Sequence, residues 1–225
     1  MPTTRTSALA CVLAVAAVVA MLAPPLRVSI AAEPPREWDG LQLTPSKRVS
    51  RLYLRPGASL KGYKHVRLAP LQVAFDKNWN PNASRVGQSR LTNDDFEKIK
   101  KALAEEFAKV WAKDLADAGY DVVTEAGDDV LDVTPFVIDL YIAAPDKPTA
   151  GRSRTYTADP GRMTLVAELR DSDTGQILAR AIDARQSSWS TFQVSSSVSN
   201  MAAASQMISR WASTLVDALN AANGR

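Results

Sequence analysis

The chain has 225 residues and a mass of 24.3 kDa, which is enough for one medium-sized domain with its own hydrophobic core. Hydrophobic residues make up 46% of it and charged residues 23%, a balance that excludes a wholly disordered protein. Cys11 and His65 are its single cysteine and histidine, which excludes an internal disulfide, a thiolate zinc site, an iron–sulfur cluster and a multi-histidine metal site. We therefore expect no metal ion and no other cofactor.

Residues 1–32 have the organisation of a secretory signal peptide. Arg5 provides the positive start, and the sixteen residues of Ala8–Ala23 are all apolar. As a helix this run would measure about 24 Å, which is shorter than the roughly 30 Å hydrocarbon core of a bilayer. We expect cleavage after Ala31 or Ala32, export to the bacterial periplasm, and no integral membrane segment in the mature chain.

Two further features of this end limit the possible partners. The apolar stretch follows Cys11 instead of preceding it, the reverse of the order in a lipoprotein signal, so we expect no lipid anchor. Removal of residues 1–32 also removes Arg5 and Arg27, so Lys plus Arg falls from 27 to 25 against 24 acidic residues, and the net charge falls from +3 to +1. A nearly neutral mature chain gives no reason to expect nucleic-acid binding.

The first part of the mature chain contains a leader and short strands. Residues 33–50 are proline-rich and polar, which is typical of an extended leader into the domain. Arg51–Leu54 is predicted to be a short strand. The alternating apolar residues of His65–Phe75 predict a longer strand, with a bulge or an edge position at Pro70. A polar loop, residues 76–91, follows it.

The most clearly amphipathic segment is a helix over about Asn93–Ala118. Thr92 is a good N-cap, and Gly119 is a residue at which a helix commonly ends. The apolar residues of the segment recur at steps of three and four and form one broad face: Phe96, Ile99, Leu103, Phe107, Val110, Trp111 and Leu115. A short strand, Tyr120–Thr124, is predicted to follow the helix.

Strands dominate the next part of the chain. Val130–Ala143 is rich in β-forming residues and is predicted to bend at Pro135. A loop over residues 144–161 follows it. Period-two alternation on both sides of a turn then predicts a hairpin of Met163–Arg170 and Ile177–Arg185.

A serine-rich connection, residues 187–199, leads to a last amphipathic helix over about Asn200–Ala222. The order of these elements predicts an α+β fold: a single mixed, largely antiparallel sheet with two long amphipathic helices packed on one face. We expect residues 51–225 to form a single α+β domain.

Isolated polar residues give no catalytic arrangement. A general base needs a partner, and none is identifiable for His65. The acidic cluster of Asp128, Asp129 and Asp132 lacks the spacing of a calcium loop. Asp139 lies in an apolar strand and is expected to face solvent or to pair with an arginine. We predict no catalytic and no metal-ligating residues.

The loop that contains Arg152, Arg154 and Tyr156 is the most suggestive segment for binding. Two arginines flanked by hydroxyl groups could bind phosphate, carboxylate or the edge of a glycan, or they could pair with strand carboxylates. Trp79 and Trp189, in the other two polar loops, could add an aromatic contact surface or fold back over the edge of the core. These side chains are the predicted binding residues.

Four segments together resemble the bacterial exported family catalogued as domain of unknown function 3313. They are WDGL (Trp38–Leu41), YLRPGASLKGYKHVRLAPLQVAFDKNW (Tyr53–Trp79), AGRSRTYT (Ala150–Thr157) and MTLVAELRDSDTGQILAR (Met163–Arg180). The family has no established activity, so the resemblance implies an exported protein and supplies no catalytic residues. The LRDSDTGQIL hairpin is also similar to one in envelope domains of the curli-secretion and penicillin-binding-protein-activator lipoproteins, which favours a binding or assembly role.

We therefore expect a non-enzymatic exported bacterial envelope protein that binds another envelope protein or a cell-wall component in an assembly or regulatory role. The contacts would come from the loops over residues 76–91, 144–161 and 187–199. Two alternatives stay open. One is a carboxylate-dependent hydrolase that acts on wall glycan, which needs two carboxylates in a cleft. The other is a carrier of a small apolar ligand, which needs a cavity between the helices and the sheet.

Overall fold

The computed structural model describes residues 33–83, 90–142, 155–157, 161–187, 193–195 and 197–225. The predicted signal peptide lies outside these ranges. Pro35–Arg225 form one compact unit. Its elements, in chain order, are β1 Glu37–Trp38, β2 Leu41–Thr44, β3 Arg51–Leu54, β4 His65–Leu68, β5 Gln72–Phe75, α1 Asn93–Asp117, β6 Asp121–Val122, β7 Val130–Tyr141, β8 Thr155–Thr157, β9 Arg162–Asp171, β10 Ile177–Gln186, β11 Gln193–Ser195 and α2 Ser197–Asn223.

Nine of these strands form one mixed sheet, with the hydrogen-bonded order β1-β2-β3-β10-β9-β7-β4-β6 and with β5 also paired to β7. β4 and β5 run parallel to β7, and β6 runs parallel to β4, whereas the remaining pairs of this sheet are antiparallel. β8 and β11 pair with each other in a separate two-stranded sheet. The prediction of a mixed, largely antiparallel sheet is confirmed.

The core lies between the large sheet and the two helices, which contact each other on one of its faces. Alternate residues of β9 are buried in it: Met163, Leu165, Ala167 and Leu169. The helices contribute Leu103, Phe107, Trp111 and Leu115 from α1 and Met207, Ile208, Trp211, Ala212, Leu215 and Leu219 from α2. The predicted packing of two amphipathic helices on one face of the sheet is therefore confirmed.

Local sequence signals set the ends of α1. The Asp95 carboxylate accepts a hydrogen bond from the Thr92 N–H at 2.8 Å, and Thr92 Oγ1 accepts one from the Asp95 N–H, which together make a capping box. Gly119, just after the helix, has φ +79°, a left-handed conformation that glycine adopts without steric cost. The helix consequently lies within one residue of its predicted bounds.

Prolines affect the two predicted long strands differently. His65–Phe75 is two strands instead of one, because Pro70 separates β4 from β5. Pro135 does not disturb β7, and it stays in register with β9. Proline has no N–H, and at this position the N–H would point towards β4 and β5. The two strands leave a gap there, so no hydrogen bond of the sheet is lost. The irregularity of β7 lies instead at Asp139, an exposed residue with φ +53°. Aspartate tolerates this conformation better than most residues.

The segment predicted to be a leader contains the first two strands of the sheet. Residues 37–44 form the β1–β2 hairpin, and β2 pairs with β3. Asp39 (φ +54°) and Gly40 (φ +73°) make its two-residue turn, and Asp-Gly is a preferred pair for such turns. Leu41 is fully buried, outside the cluster of residues between the sheet and the helices. The sheet therefore begins before the predicted Arg51.

The second half of the chain follows the predicted order. β9 and β10 form the predicted hairpin, with Gly175 at φ +69° in its turn. The connection predicted over residues 187–199 contains β11 and the start of α2, which begins at Ser197. Among the described residues, no helix combines the length and the apolar character that crossing a membrane requires.

Candidate functional site

Two of the three predicted contact loops, residues 144–161 and 187–199, come together through backbone pairing. β8 belongs to the first loop and β11 to the second, and the two strands pair antiparallel. Where both loops join the large sheet, the Ser187 N–H donates to the Gly161 carbonyl at 2.8 Å. Loops that are far apart in the sequence therefore form one surface.

The third loop reaches the same place through two of its side chains. The indole N–H of Trp79 donates to the carbonyl of Ile142 at 2.9 Å, just before the loop over residues 144–161 begins. Arg162 Nη2 lies 2.9 Å from Asp76 Oδ2, just after that loop ends. All three loops thus meet at one end of the sheet, which we call the loop end.

Asp76 is the electrostatic centre of this junction. It accepts hydrogen bonds from the backbone N–H of Asn78 at 2.8 Å and from Arg162. The bond from Asn78 and then the bond from Arg162 outweigh the effect of burial and hold the pKa of Asp76 below its usual value. The Arg162 guanidinium also lies 4.0 Å from the centre of the Tyr141 ring. One arginine thereby links the ends of β5, β7 and β9.

Trp79 packs against the edge of the core. Its ring stacks on Phe75 with centroids 4.6 Å apart and meets the edge of Phe96 at 5.8 Å. The side chain is half-buried as a result. Trp79 therefore attaches its loop to Phe75, Phe96 and Ile142.

Only some of the predicted binding residues can be placed. Tyr156 lies in β8 at the loop end, opposite Val194 of β11 in the small sheet. Arg152, Arg154 and Trp189 lie outside the described residues. The arginines directly precede β8 in sequence, and Trp189 lies between β10 and β11. Their role in binding stays a prediction.

An apolar cleft of about 300 Å³ opens at the loop end, between the first halves of α1 and α2 and the ends of β7 and β9. We call it the helix cleft. Met163, Met201 and Met207 line it, and they are all the methionines that follow the predicted signal peptide. Methionine side chains are flexible and polarizable, and they recur at surfaces that accept apolar segments of varied shape.

Charged residues stand among the apolar lining of the helix cleft. Lys98 and Arg162 contribute positive charge to it. Of its described lining residues, Asp95 alone is acidic, and its carboxylate is already bound in the capping box of α1. Sequence reasoning missed this cleft, because the three methionines come from two elements and only the fold brings them together.

A second cavity, of about 320 Å³, lies between α2 and the strands β3, β9 and β10. We call it the sheet cavity. Leucine and alanine side chains make most of its wall, together with Trp111 and Trp211. Asp183 also lines it, and its carboxylate accepts from Trp211 Nε1 at 2.9 Å and from the Ser50 N–H at 2.9 Å. The space that an apolar-ligand carrier needs is therefore present.

The residues weighed for catalysis or metal binding are not gathered in either cavity. Two hydrogen bonds of 2.7 and 2.6 Å join Arg67 to Asp132 on neighbouring strands. His65 Nδ1 lies 4.0 Å from a carboxylate oxygen of Asp129. Asp139 is exposed in β7. Within the part of the chain that the structure describes, no group of three or more His, Cys, Asp or Glu side chains could hold a metal ion.

A comparison with known sequence families identifies the chain. The family described as "Protein of unknown function (DUF3313)" matches residues 35–215. The chain belongs to this family. No curated protein matches it.

The DUF3313 chain is also similar to several solved structures. It has 12% identity to a PelC dodecamer from Paraburkholderia phytofirmans, over 71% of this chain and 93% of that chain, with a TM-score of 0.35. A putative neuraminyllactose-binding hemagglutinin homolog from Helicobacter pylori has 12% identity over 70% of this chain and 86% of that chain, with a TM-score of 0.38. A DUF330 protein from Xanthomonas campestris has 16% identity over 76% and 90%, with a TM-score of 0.33. Likenesses at this level carry no conclusion about function.

In this DUF3313 protein, one segment that carries the family resemblance has a clear structural role. WDGL is the turn of the β1–β2 hairpin. The Trp38 ring meets the edge of Tyr53 at 5.7 Å, and the Arg180 guanidinium lies 4.0 Å from the centre of the same ring. The segment therefore attaches the first hairpin to β3 and β10, away from the loop end.

Proposed function

We propose that this DUF3313 protein is a non-enzymatic, exported binding protein of the bacterial envelope, which holds an apolar segment of another envelope protein in an assembly or regulatory role. One observation carries the proposal: the methionine-lined helix cleft opens where three loops from distant parts of the sequence meet. Surfaces built from several loops on a rigid scaffold are frequent sites of binding.

The lining of the helix cleft supports an apolar protein segment as the occupant. Met201 and Met207 from α2 and Ile99 and Leu103 from α1 face it. Two helices with apolar side chains between them form the kind of groove that accepts the apolar face of a third helix or an extended apolar segment. Lys98 among the lining residues favours an acidic residue beside that segment, whereas the charge of Arg162 is already paired with Asp76.

The hydrolase alternative has less support from the geometry. Such an enzyme needs two carboxylates on either side of the scissile bond. Among the described lining residues, Asp95 is the acid of the helix cleft and Asp183 the acid of the sheet cavity. Both carboxylates already accept hydrogen bonds within the fold.

Site-specific photo-crosslinking in the native host tests the proposal. A photoreactive residue is placed at Ala203, in the helix cleft, or at Ser213, an exposed position of α2 outside both cavities. We expect one envelope protein to be crosslinked from Ala203 and not from Ser213. Ala204→Trp, which fills the cleft, should reduce that crosslink about tenfold or more, whereas Ser213→Trp should leave it unchanged.

The double substitution Arg152→Ala with Arg154→Ala tests the predicted binding loop separately. Loss of the crosslink with unchanged thermal stability would support contacts from these arginines. Loss of stability with retained crosslinking would show that they are structural. A crosslink to wall glycan, or a protein crosslink that Ala204→Trp does not reduce, would contradict the apolar segment as partner.

A further inference from the structure

We propose that the sheet cavity binds a small, neutral, mostly apolar molecule that carries one oxygen acceptor, such as a medium-chain alcohol or a neutral acyl group. The cavity has different walls from the helix cleft, and no residue lines both. The inference therefore stands apart from the proposed function.

The size and the lining of the cavity match a small ligand. Its volume of about 320 Å³ is at the lower end of the range for small-molecule sites, which is roughly 300–1,000 Å³. Ala179 and Ala181 of β10 face Ala218 of α2 across it, and leucines from β3, β9 and α2 complete the wall. Small side chains on both walls leave the space open.

An unpaired donor indicates what the ligand must supply. Trp111 is 2% exposed and lines the cavity, and its indole N–H has no acceptor among the described residues. The indole N–H of Trp211, in the same wall, donates to Asp183 at 2.9 Å. A buried donor without an acceptor is unfavourable, so a ligand that presents an oxygen to Trp111 gains a hydrogen bond that the fold leaves unmade. The nitrogen itself is covered, so the indole has to turn towards the cavity to make this bond.

The charges around the cavity favour a neutral ligand. Arg48 and Asp183 are the charged residues among its described lining. Arg48 is paired with Asp217 at 2.8 Å, and Asp183 is paired with Arg185 at 2.8 Å. A ligand with an anionic group would meet the carboxylates of Asp183 and Asp217, and both nearby arginines are already paired with them. A ligand with a cationic group has no oxygen that can accept a hydrogen bond from Trp111. Burial of an unpaired charge is costly in either case.

The test uses three probes with the same eight-carbon chain, octanol, octanoate and octylammonium, with the full chain in calorimetric titrations. We expect octanol to bind more tightly than octanoate, and octylammonium to bind least. Trp111→Phe keeps the apolar wall and removes the N–H, so it should weaken octanol binding about three- to tenfold.

Two substitutions from opposite walls check the location. Ala181→Leu and Ala218→Leu should each weaken octanol binding at least about tenfold by filling the cavity, and two positions guard against one variant that fails to fold. Ala204→Leu, in the helix cleft, is the matched control and should leave octanol binding unchanged. The same substitution is expected to weaken the crosslink from Ala203, so the two proposals can fail independently.

The proposal is overturned by three results. The first is no octanol binding to the folded wild type. The second is octanol binding that neither Ala181→Leu nor Ala218→Leu weakens. The third is tighter binding of octanoate than of octanol together with no effect of Trp111→Phe, which would assign an anion site instead.

Discussion

Arg180 Nη2 donates to Asp39 Oδ2 at 2.9 Å, which ties the turn of the first hairpin to a central strand of the sheet. Arg180 also donates to Glu168 through Nε and Nη2 and lies under the Trp38 ring. Burial alone would lower the pKa of Arg180, but its hydrogen bonds to Glu168 and Asp39 outweigh burial and raise it. The arginine therefore stays charged while its side chain is only 9% exposed.

Arg180→Gln should be one of the most destabilising polar substitutions in the protein. It removes the two hydrogen bonds from Arg180 to Glu168 and the one to Asp39. Arg170 still pairs with Glu168 at 2.6 Å, so the carboxylate keeps one cation and we expect a loss of about 1.5–3 kcal/mol. Arg48→Gln is the control, because the Arg48–Asp217 pair is half-exposed and such pairs contribute about 0–1 kcal/mol. Urea unfolding measures both. An equal loss of unfolding free energy in the two variants would show that the contacts of Arg180 with Glu168 and Asp39 stabilise the protein no more than an exposed ion pair does.

Two substitutions at Asp39 separate charge from backbone conformation. Asp39 has φ +54°, which asparagine tolerates and alanine does not. Asp39→Asn should cost less than about 1 kcal/mol, since the carboxylate is half-exposed. Asp39→Ala should cost about 1–2 kcal/mol more, because alanine pays the steric cost of the left-handed turn. Similar values for both in thermal unfolding would mean that the turn relaxes when Asp39 is replaced.

Asp171 should make the protein sensitive to acid. Its carboxylate accepts from the Thr174 hydroxyl at 2.6 Å, from the Tyr63 hydroxyl at 2.7 Å and from the Thr174 N–H at 2.7 Å. The bond from the Thr174 hydroxyl and then that from Tyr63 lower the pKa of Asp171 in the folded state. A lowered folded-state pKa stabilises the protein above about pH 4 and loses that effect as the pH falls through the folded value.

Asp171→Asn should therefore lower the free energy of unfolding at pH 7 by about 1–3 kcal/mol, and this difference from wild type should shrink on acidification below about pH 4. Asp173→Asn, in the same turn, is the control because its side chain is exposed. The measurement is urea unfolding at a series of pH values. A difference that stays constant down to low pH would show that the loss comes from packing and not from the charge of Asp171.

The elements that the sequence predicts accurately are those whose signals are local. Thr92 and Gly119 lie directly at the two ends of α1, and the turn before Gly175 joins two strands that alternate regularly. Asp39 and Gly40 carry an equally local hairpin signal. The strands on either side of this turn, β1 and β2, have only two and four residues, which is too short for an alternating pattern to show. The surrounding prolines and polar residues therefore predict a leader.

The arrangement of strands and cavities depends on contacts that no local pattern contains. Pro70 and Pro135 are far apart in sequence. Only the pairing of β4 and β5 with β7 shows that Pro135, which lacks an N–H, lies beside the gap that Pro70 makes between those two strands. The helix cleft likewise needs Met163 from a strand beside Met201 from a helix. Polar loops could be recognised as contact candidates from their composition, but their meeting at one end could not.

The ion pair of Asp76 and Arg162 should control how firmly the loop end is held. Asp76→Ala removes both the bond to Asn78 and the pair with Arg162, whereas Asp76→Asn keeps an oxygen that can accept from Asn78. We expect Asp76→Ala to loosen the loop end locally and Asp76→Asn to do so less, because Asp76→Asn loses only the ion pair with the partly exposed Arg162 side chain.

Hydrogen exchange read by mass spectrometry distinguishes local from global loosening of this junction. In Asp76→Ala, amides of residues 76–83 and 161–163 should exchange faster, while those of α1 and β9 beyond Met163 stay protected. If the loop end binds a partner as proposed, the crosslink from Ala203 should fall in Asp76→Ala and less in Asp76→Asn. Uniformly faster exchange across the chain would instead make Asp76 a determinant of overall stability, with no separate role in positioning the loops.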